Sequence, residues 1–204
     1  MSGPRPGRTE RDEMSDEIRI VETLSVKGEP DGATLWAIYE HAFRLLNERT
    51  PIHHGAWSEA AFREMLGDAD FTKYLVYVGP DLVGACLITT ALEKVPWINA
   101  VYYRKRFPQA SASSRLYFLP VVVIDPAHQD LRRIGAKLLH EAVASLGDDG
   151  VLAVDYSETL RHSLPAFVKR SLRRDFQSEV LDRMVYQVFY YQQPGQSLTE
   201  GPRR

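Results

Sequence analysis

The sequence predicts an α/β fold in which a parallel pair of strands sits inside a mixed sheet, and three stretches carry that reading. Val121-Val122-Val123-Ile124 is apolar on both faces and too short to be a helix that buries anything, so it is predicted to be a central strand. Asp125-Pro126 stops it, because proline cannot donate to a ladder and holds its predecessor extended. From Ile134 the period changes: Leu138, Leu139, Ala142, Val143 and Leu146 follow at helical spacing, and Gly147 stands where a helix ends. After GDDG, residues 151–156 (VLAVDY) form a second strand of buried type, so the two strands run parallel through a right-handed crossover. The third stretch is a hairpin, residues 74–78 and 82–90 about Gly79-Pro80-Asp81, which supplies antiparallel neighbours.

The other elements follow in order. Residues 1–16 are Gly, Pro and charge without an apolar period, the composition of a disordered tail. Residues 17–26 (EIRIVETLSV) alternate at Ile18, Ile20 and Val21 as a first strand, and KGEPDG follows as a turn. Over 33–47, Leu35, Ile38, Ala42, Leu45 and Leu46 mark one face of a helix. A second helix starts at the N-cap Ser58 and runs to about Leu66, with Trp57 and Phe62 placed for a hydrophobic staple. Trp97 or Ile98 to Arg106 reads as a short amphipathic helix ended by Phe107-Pro108, and residues 109–115 (QASASSR) as a flexible link. Residues 184–191 (MVYQVFYY) alternate as a last strand, paired antiparallel with a preceding one, and residues 193–204 as a flexible tail.

Composition narrows the function. With 204 residues, 44% hydrophobic and 25% charged, the chain fits one domain with a substantial core, residues 17–192. A formal net charge of -2 gives no reason to expect nucleic acid or an anionic membrane as partner. Cys86 is the only cysteine, which excludes an intrachain disulfide and a cysteine metal cluster and points to a reducing, cytoplasmic compartment. No apolar run approaches the roughly 20 residues of a membrane span, and the N-terminus has no hydrophobic signal core.

Between the central strand and its helix lies His128-Gln129-Asp130-Leu131-Arg132-Arg133, a polar loop that brings backbone N–H groups and a positive helix end to one spot. That is the geometry of an anion site. A strand ending in hydrophobic-x-Pro, a Gln, a basic loop and a helix with Gly135-Ala136 in its first turn resembles the pyrophosphate-binding segment of the GNAT acyltransferase superfamily. Val83-Gly84, early in the returning hairpin strand, also matches a pair common in that family. In the family the loop reads Gln/Arg-x-x-Gly-x-Gly/Ala. Here, counted from Gln129, it is one residue too long. Counted from Asp130 the spacing fits, but Arg133 replaces the first glycine and an acid replaces the Gln/Arg. A Cβ there hinders close approach to a phosphate, which Arg132 and Arg133 can offset by contacting it directly.

The resemblance, over residues 17–192, implies a mixed, mostly antiparallel sheet with a splayed parallel central strand pair and flanking helices. It implies acetyl-CoA as acyl donor, held by Val122, Val123, Ile124, Gln129, Asp130, Leu131, Arg132, Arg133, Ile134, Gly135 and Ala136. Backbone amides near Val122 and Ile124 would polarise the thioester carbonyl and pair with the pantetheine arm. The family's Asn-x-x-Ala-x-x-x-Tyr helix, whose Tyr protonates the departing thiolate, falls on Leu160, Ser163 and Phe167. Phenylalanine delivers no proton, so Tyr156, Ser157 or a water takes that role, or there is no thioester chemistry. Asp175 stands where the family has the glycine of a Gly-Phe pair. Lys169-Arg170 and Arg173-Arg174 fit a solvated helix face or a contact to the CoA 3′-phosphate better than a nucleic-acid patch.

For a general base the candidates are Asp155, Glu158 and His162, after the second parallel strand, and His53-His54. Against each stands a plain structural use: a helix cap for Asp155, solvent for Glu158 and His162, a polar loop for the histidine pair. Trp97, Tyr102 and Tyr103 either line an acceptor pocket or anchor their segment on the core. Ser157 lacks the Gly-x-Ser-x-Gly elbow of a hydrolase, no histidine spacing supports a metal, and Cys86 reads as a small hydrophobe. The expected protein is an acyl-CoA-dependent N-acyltransferase moving an acetyl group to a small-molecule amine by direct attack, with Asp155, Glu158 and Tyr156 as catalytic residues. It needs no metal, nucleic acid or membrane, and a homodimer is left open. The alternative is a GNAT-like module without catalysis that binds CoA, regulates or oligomerises. An open gap between the parallel strands favours the enzyme; a gap plugged by Arg133 or Phe167 counts against it.

Overall fold

Apolar side chains at alternating positions let five stretches pair into one sheet in sequence order: β1 (Ile18–Thr23), β2 (Phe71–Val78), β3 (Asp81–Thr89), β4 (Leu116–Ile124) and β5 (Val151–Ala153). The structure is a computed structural model and describes residues 17–28, 31–48, 57–128, 130–147, 150–156, 166 and 177–183. The first three pairings are antiparallel, and β4 and β5 are parallel, the mixed sheet expected from the sequence. Five α-helices complete the described chain: α1 (Asp31–Asn47), α2 (Glu59–Gly67), α3 (Ala100–Arg106), α4 (Pro108–Ala112) and α5 (Leu131–Ala144).

The sheet separates two apolar clusters. On one face Leu35, Ile38 and Tyr39 of α1 and Phe62, Met65 and Leu66 of α2 pack against Leu75, Ala85, Leu87, Phe118 and Val121. On the other, Ile134, Leu138, Leu139 and Ala142 of α5 cover Tyr74, Val76, Cys86 and Ile88. Helices on both faces explain why β3 is buried almost end to end and reads as a continuous apolar run. Cys86 lies in it fully buried, and burial pushes its thiol up to about 12, so it is inert as a nucleophile.

The hairpin closes with Val78 opposite Asp81, and Gly79 adopts a φ of +56° to make so short a connection. Ser58 caps α2, its Oγ accepting from the Ala61 amide at 3.3 Å. Trp57 lies at the edge of the core, and its ring meets Trp97 at 5.7 Å.

Several boundaries differ from expectation. Residues 109–115 are not simply a flexible link: Pro108 starts α4, whose Ala110 is buried, because proline's fixed φ suits a first helical turn. The helix expected from Trp97 or Ile98 begins at Ala100, where Asn99 accepts from the Tyr102 amide and caps it. The strand expected over 151–156 stops at Ala153, and its residues are half-buried rather than buried. The helix expected from Ile134 starts at Leu131, so Leu131, Arg132 and Arg133 are its first turn and not a loop. The two tails, the stretch with Leu172 and Asp175, the paired arginines 173–174, Lys169-Arg170 and the last strand lie outside the described residues.

Lys73 on β2 is fully buried, its ammonium donating to Leu24 O at 2.9 Å and to Asp68 O. Burial lowers its pKa from 10.5 to about 8, against the opposing pull of Asp68 and Asp70. Below the lower value both folded and unfolded chains hold the proton; between the two only the unfolded chain does, so stability rises with pH across that window. Buried tyrosines oppose this above about pH 10, since Tyr39, pushed up to about 12 by burial, keeps its proton when the unfolded chain loses it. Urea unfolding should therefore show a gain of roughly 1–2 kcal/mol from pH 8 to about 9.5, and Lys73→Met should flatten it. An equal slope in the variant would assign the gain to another group.

Candidate functional site

The site begins with a proline in a strand. Leu87 of β3 faces Val121 of β4, but Thr89, two residues on, faces Phe118, three residues back. The extra residue falls at Leu119-Pro120, where proline has no N–H to give, and makes a β-bulge. Packing records the same shift: Leu116, Phe118, Val121 and Val123 face the α1 side, while Tyr117, Leu119, Val122 and Ile124 face α5.

The bulge also decides where backbone groups point. The Asp125 amide donates to Val83 O at 2.8 Å, toward β3. By the alternation of a strand, the amides of Val123 and Val121 point the same way and those of Val122 and Ile124 point to the opposite edge. Along that edge β5 pairs only with Leu116, Tyr117 and Phe118, and the chain leaves the sheet after Ala153. Among the described residues, the part of β4 beyond the bulge has β3 on one edge and no strand on the other. Past Phe118 and Ala153 the two parallel strands no longer pair, which leaves a gap in the ladder toward which the amides of Val122 and Ile124 are directed.

At the mouth of the gap, Asp125 folds its own turn, Oδ1 accepting from the Ala127 amide at 3.0 Å. The chain then enters α5 through Asp130, whose carbonyl accepts from Ile134 at 3.0 Å as the first helical bond. The amides of Leu131, Arg132 and Arg133 precede that bond and have no partner within the helix, leaving three donors at its positive end. Arg133 does not plug the gap: its side chain is exposed and lies 3.7 Å from Asp130. Its backbone is helical, and the only described non-glycine residue with positive φ is Ser114, so a glycine's freedom is not required at position 133. Ile134 and Gly135 are buried against the sheet side, and Ala136 is half-buried. Gln129 lies outside the described residues. His128, not singled out from the sequence, sits in this turn half-buried, with no hydrogen-bond partner for its Nδ1 among the described residues.

Beyond β5, Asp155 is exposed and accepts from Trp97 Nε1 at 3.4 Å; Tyr156 is half-buried. Tyr103 packs edge-on to Phe118 at 6.1 Å, and burial, then the Asp155 charge, raises its pKa. Of the two uses considered for the segment between β3 and β4, the structure shows the anchor: Tyr103 packs on the core, whereas Trp97 and Tyr102 are exposed and Trp97 alone of the two reaches Asp155. Glu158, Ser157, His162, His53-His54, Leu160, Ser163 and Phe167 lie outside the described residues. No group of three or more His, Cys, Asp or Glu among the described residues is placed to hold a metal ion, and no described helix is long and apolar enough to cross a membrane. The Pro120 bulge was missed by the sequence reading; the signal was a proline inside the run LYFLPVVVI.

No protein-family model matches the chain, and no curated protein does. Among solved structures, it is similar to an aminoglycoside acetyltransferase from an uncultured soil metagenomic sample in complex with sisomicin, at 15% identity and a TM-score of 0.48, over 84% of this chain and 96% of that one. An aminoglycoside N-acetyltransferase in complex with CoA is 14% identical at a TM-score of 0.43, over 83% and 95% of the two chains. A "possible acetyltransferase" from Clostridium difficile 630 is 11% identical at a TM-score of 0.44, over 83% and 99%. At that level of likeness, what this chain does is decided by its own geometry.

Proposed function

We propose that the chain is an acyl-CoA-dependent N-acyltransferase that moves an acetyl group from acetyl-CoA to the amine of a small molecule. The observation that carries this reading is the gap between β4 and β5, with the amides of Val122 and Ile124 turned into it and the first turn of α5 at its mouth. Main-chain groups of β4 match an extended amide-bearing arm, and the first-turn amides of α5 with Arg132 and Arg133 match a diphosphate. Val122, Val123 and Ile124 would hold the arm; Asp130, Leu131, Arg132, Arg133, Ile134, Gly135 and Ala136 the diphosphate, together with Gln129.

Acetyl-CoA supplies an activated acyl carbon: the amine nitrogen bonds to it, the C–S bond breaks, and the thiolate leaves to take up a proton. The chain's residues order that exchange. An amide in the gap, already fixed by the ladder on the other edge of β4, donates to the thioester oxygen as negative charge grows there. Asp155, at the open end of β5, takes the proton of the incoming ammonium directly or through water. Tyr156, next in sequence, carries a hydroxyl that can protonate the thiolate, in place of the tyrosine that Phe167 lacks. Glu158 stays a second base candidate.

Titration calorimetry with acetyl-CoA, CoA and dephospho-CoA tests the reading, followed by an amine panel with thiol-release detection. Micromolar binding that weakens without the 3′-phosphate, together with thiol release, is expected. No heat at millimolar ligand would exclude CoA from the gap; binding without thiol release from any amine would favour the non-catalytic module.

A further inference from the structure

The connection between β3 and β4 and the end of β5 together bring one exposed carboxylate against a tryptophan that belongs to a larger group of rings. Trp97 reaches Asp155 through its indole N–H at 3.4 Å, and the Trp57 ring stands edge-on to Trp97 at 5.7 Å. Tyr103 lies edge-on to Tyr102 at 5.8 Å. Trp97 and Tyr102 remain 43% and 45% exposed, large rings turned to solvent where burial would otherwise be favoured.

Two of the three cations of α3 are engaged with other carboxylates: Arg104 bridges Glu93 at 2.5 Å, and Arg106 bridges Glu179 at 3.0 Å. Among the described residues no cation bridges Asp155. Among the described residues its charge is matched by an indole dipole, and the complement that would match it fully is a positive charge. Ring faces attract cations as well, and flat apolar bodies stack on them. Asp155 stands just past the point where β5 parts from β4, so a cation held there sits at the opening of the gap.

We propose that Trp97, Tyr102, Tyr103 and Asp155 form the acceptor site, and that it takes a primary amine with a single positive charge carried on a flat apolar body rather than a polyamine. The proposal rests on the transferase reading for the word acceptor; the recognition itself does not. One carboxylate pairs with one ammonium, and the aromatic walls reward an apolar body, whereas a polycation would leave further charges against rings and solvent.

Two measurements on the full chain separate the two ideas. Tryptophan fluorescence follows direct binding of phenethylamine, spermidine and the uncharged phenylethanol, without CoA; thiol release compares kcat/KM for the two amines with acetyl-CoA. The expected results are phenethylamine binding at least about tenfold tighter than phenylethanol and than spermidine, and the same order in kcat/KM. Trp97→Ala and Asp155→Asn should each weaken phenethylamine by about tenfold while the Kd for CoA stays within about twofold. Trp97→Phe, which keeps a ring and loses the N–H, should recover most of the loss in the first.

Phenethylamine binding without any CoA binding would uphold this site and sink the transferase reading. Turnover that prefers spermidine, or variants that leave amine binding unchanged, would overturn the site while the transferase reading stands. Neither amine nor CoA binding would overturn both.

Discussion

Replacing Val122 by proline is expected to lower kcat/KM for acyl transfer about a hundredfold, the effect of losing one preorganised donor, while the chain stays folded. The Val122 amide faces away from β3, so its removal costs no bond in that ladder. The ring still constrains φ in a strand, and a stability loss of about 2 kcal/mol is expected from that. Val123→Pro is the counterpart. Its amide points to β3 by the same alternation as Asp125, so the same ring there breaks a central ladder bond and should cost well over about 3 kcal/mol. Thiol release and urea unfolding on both variants check the pair. A Val122→Pro protein that is folded and fully active would show that the amide is not the donor; equal destabilisation of both would contradict the assigned directions.

Gly84→Ala is expected to destabilise the chain by about 3 kcal/mol, lowering Tm by roughly 6–12 °C. A Cβ at Gly84 would overlap Val123 O and stand 2.9 Å from the Cα of Ile124, and both obstacles are backbone. Gly84 faces Ile124 in a non-hydrogen-bonded pair, where antiparallel strands come closest, so the contact cannot be relieved by turning a side chain. Beyond the bulge, β3 is the only described strand beside β4. Prying the two apart should therefore also weaken CoA binding, which calorimetry at a temperature well below the variant's Tm would read. A Tm within about 2 °C of the parent would mean that β3 slides to accept the methyl group.

Much of this architecture is legible in the sequence because it rests on local chemistry. The period change between Val121-Val122-Val123-Ile124 and the helix through Leu138 and Leu139 follows from which faces must be buried. Ser58 caps its helix through one hydroxyl three residues from the amide it serves, and Gly79 turns a hairpin for want of a Cβ. Such signals act within a few residues. Boundaries were read less well. The first turn of α5 carries Arg132 and Arg133, whose polarity reads as loop, yet the helix gains its first bond by starting at Asp130. Serines make residues 109–115 look like a linker, but Ala110 is buried against the core and holds a helix there.

The sequence by itself determined the mixed sheet, the crossover helix and the basic character of the turn before it, since each depends on spacing and side-chain type along one segment. Tertiary structure alone decided the site. Whether Pro120 ends a strand or bulges it depends on the register of β3, and that register turns the Val122 and Ile124 amides into the gap. Trp97 and Asp155 are 58 positions apart, and nothing in either segment announces the other. They meet because β5 pairs with β4 at Phe118 while Tyr103 packs on that same ring, two long-range contacts that no local propensity encodes.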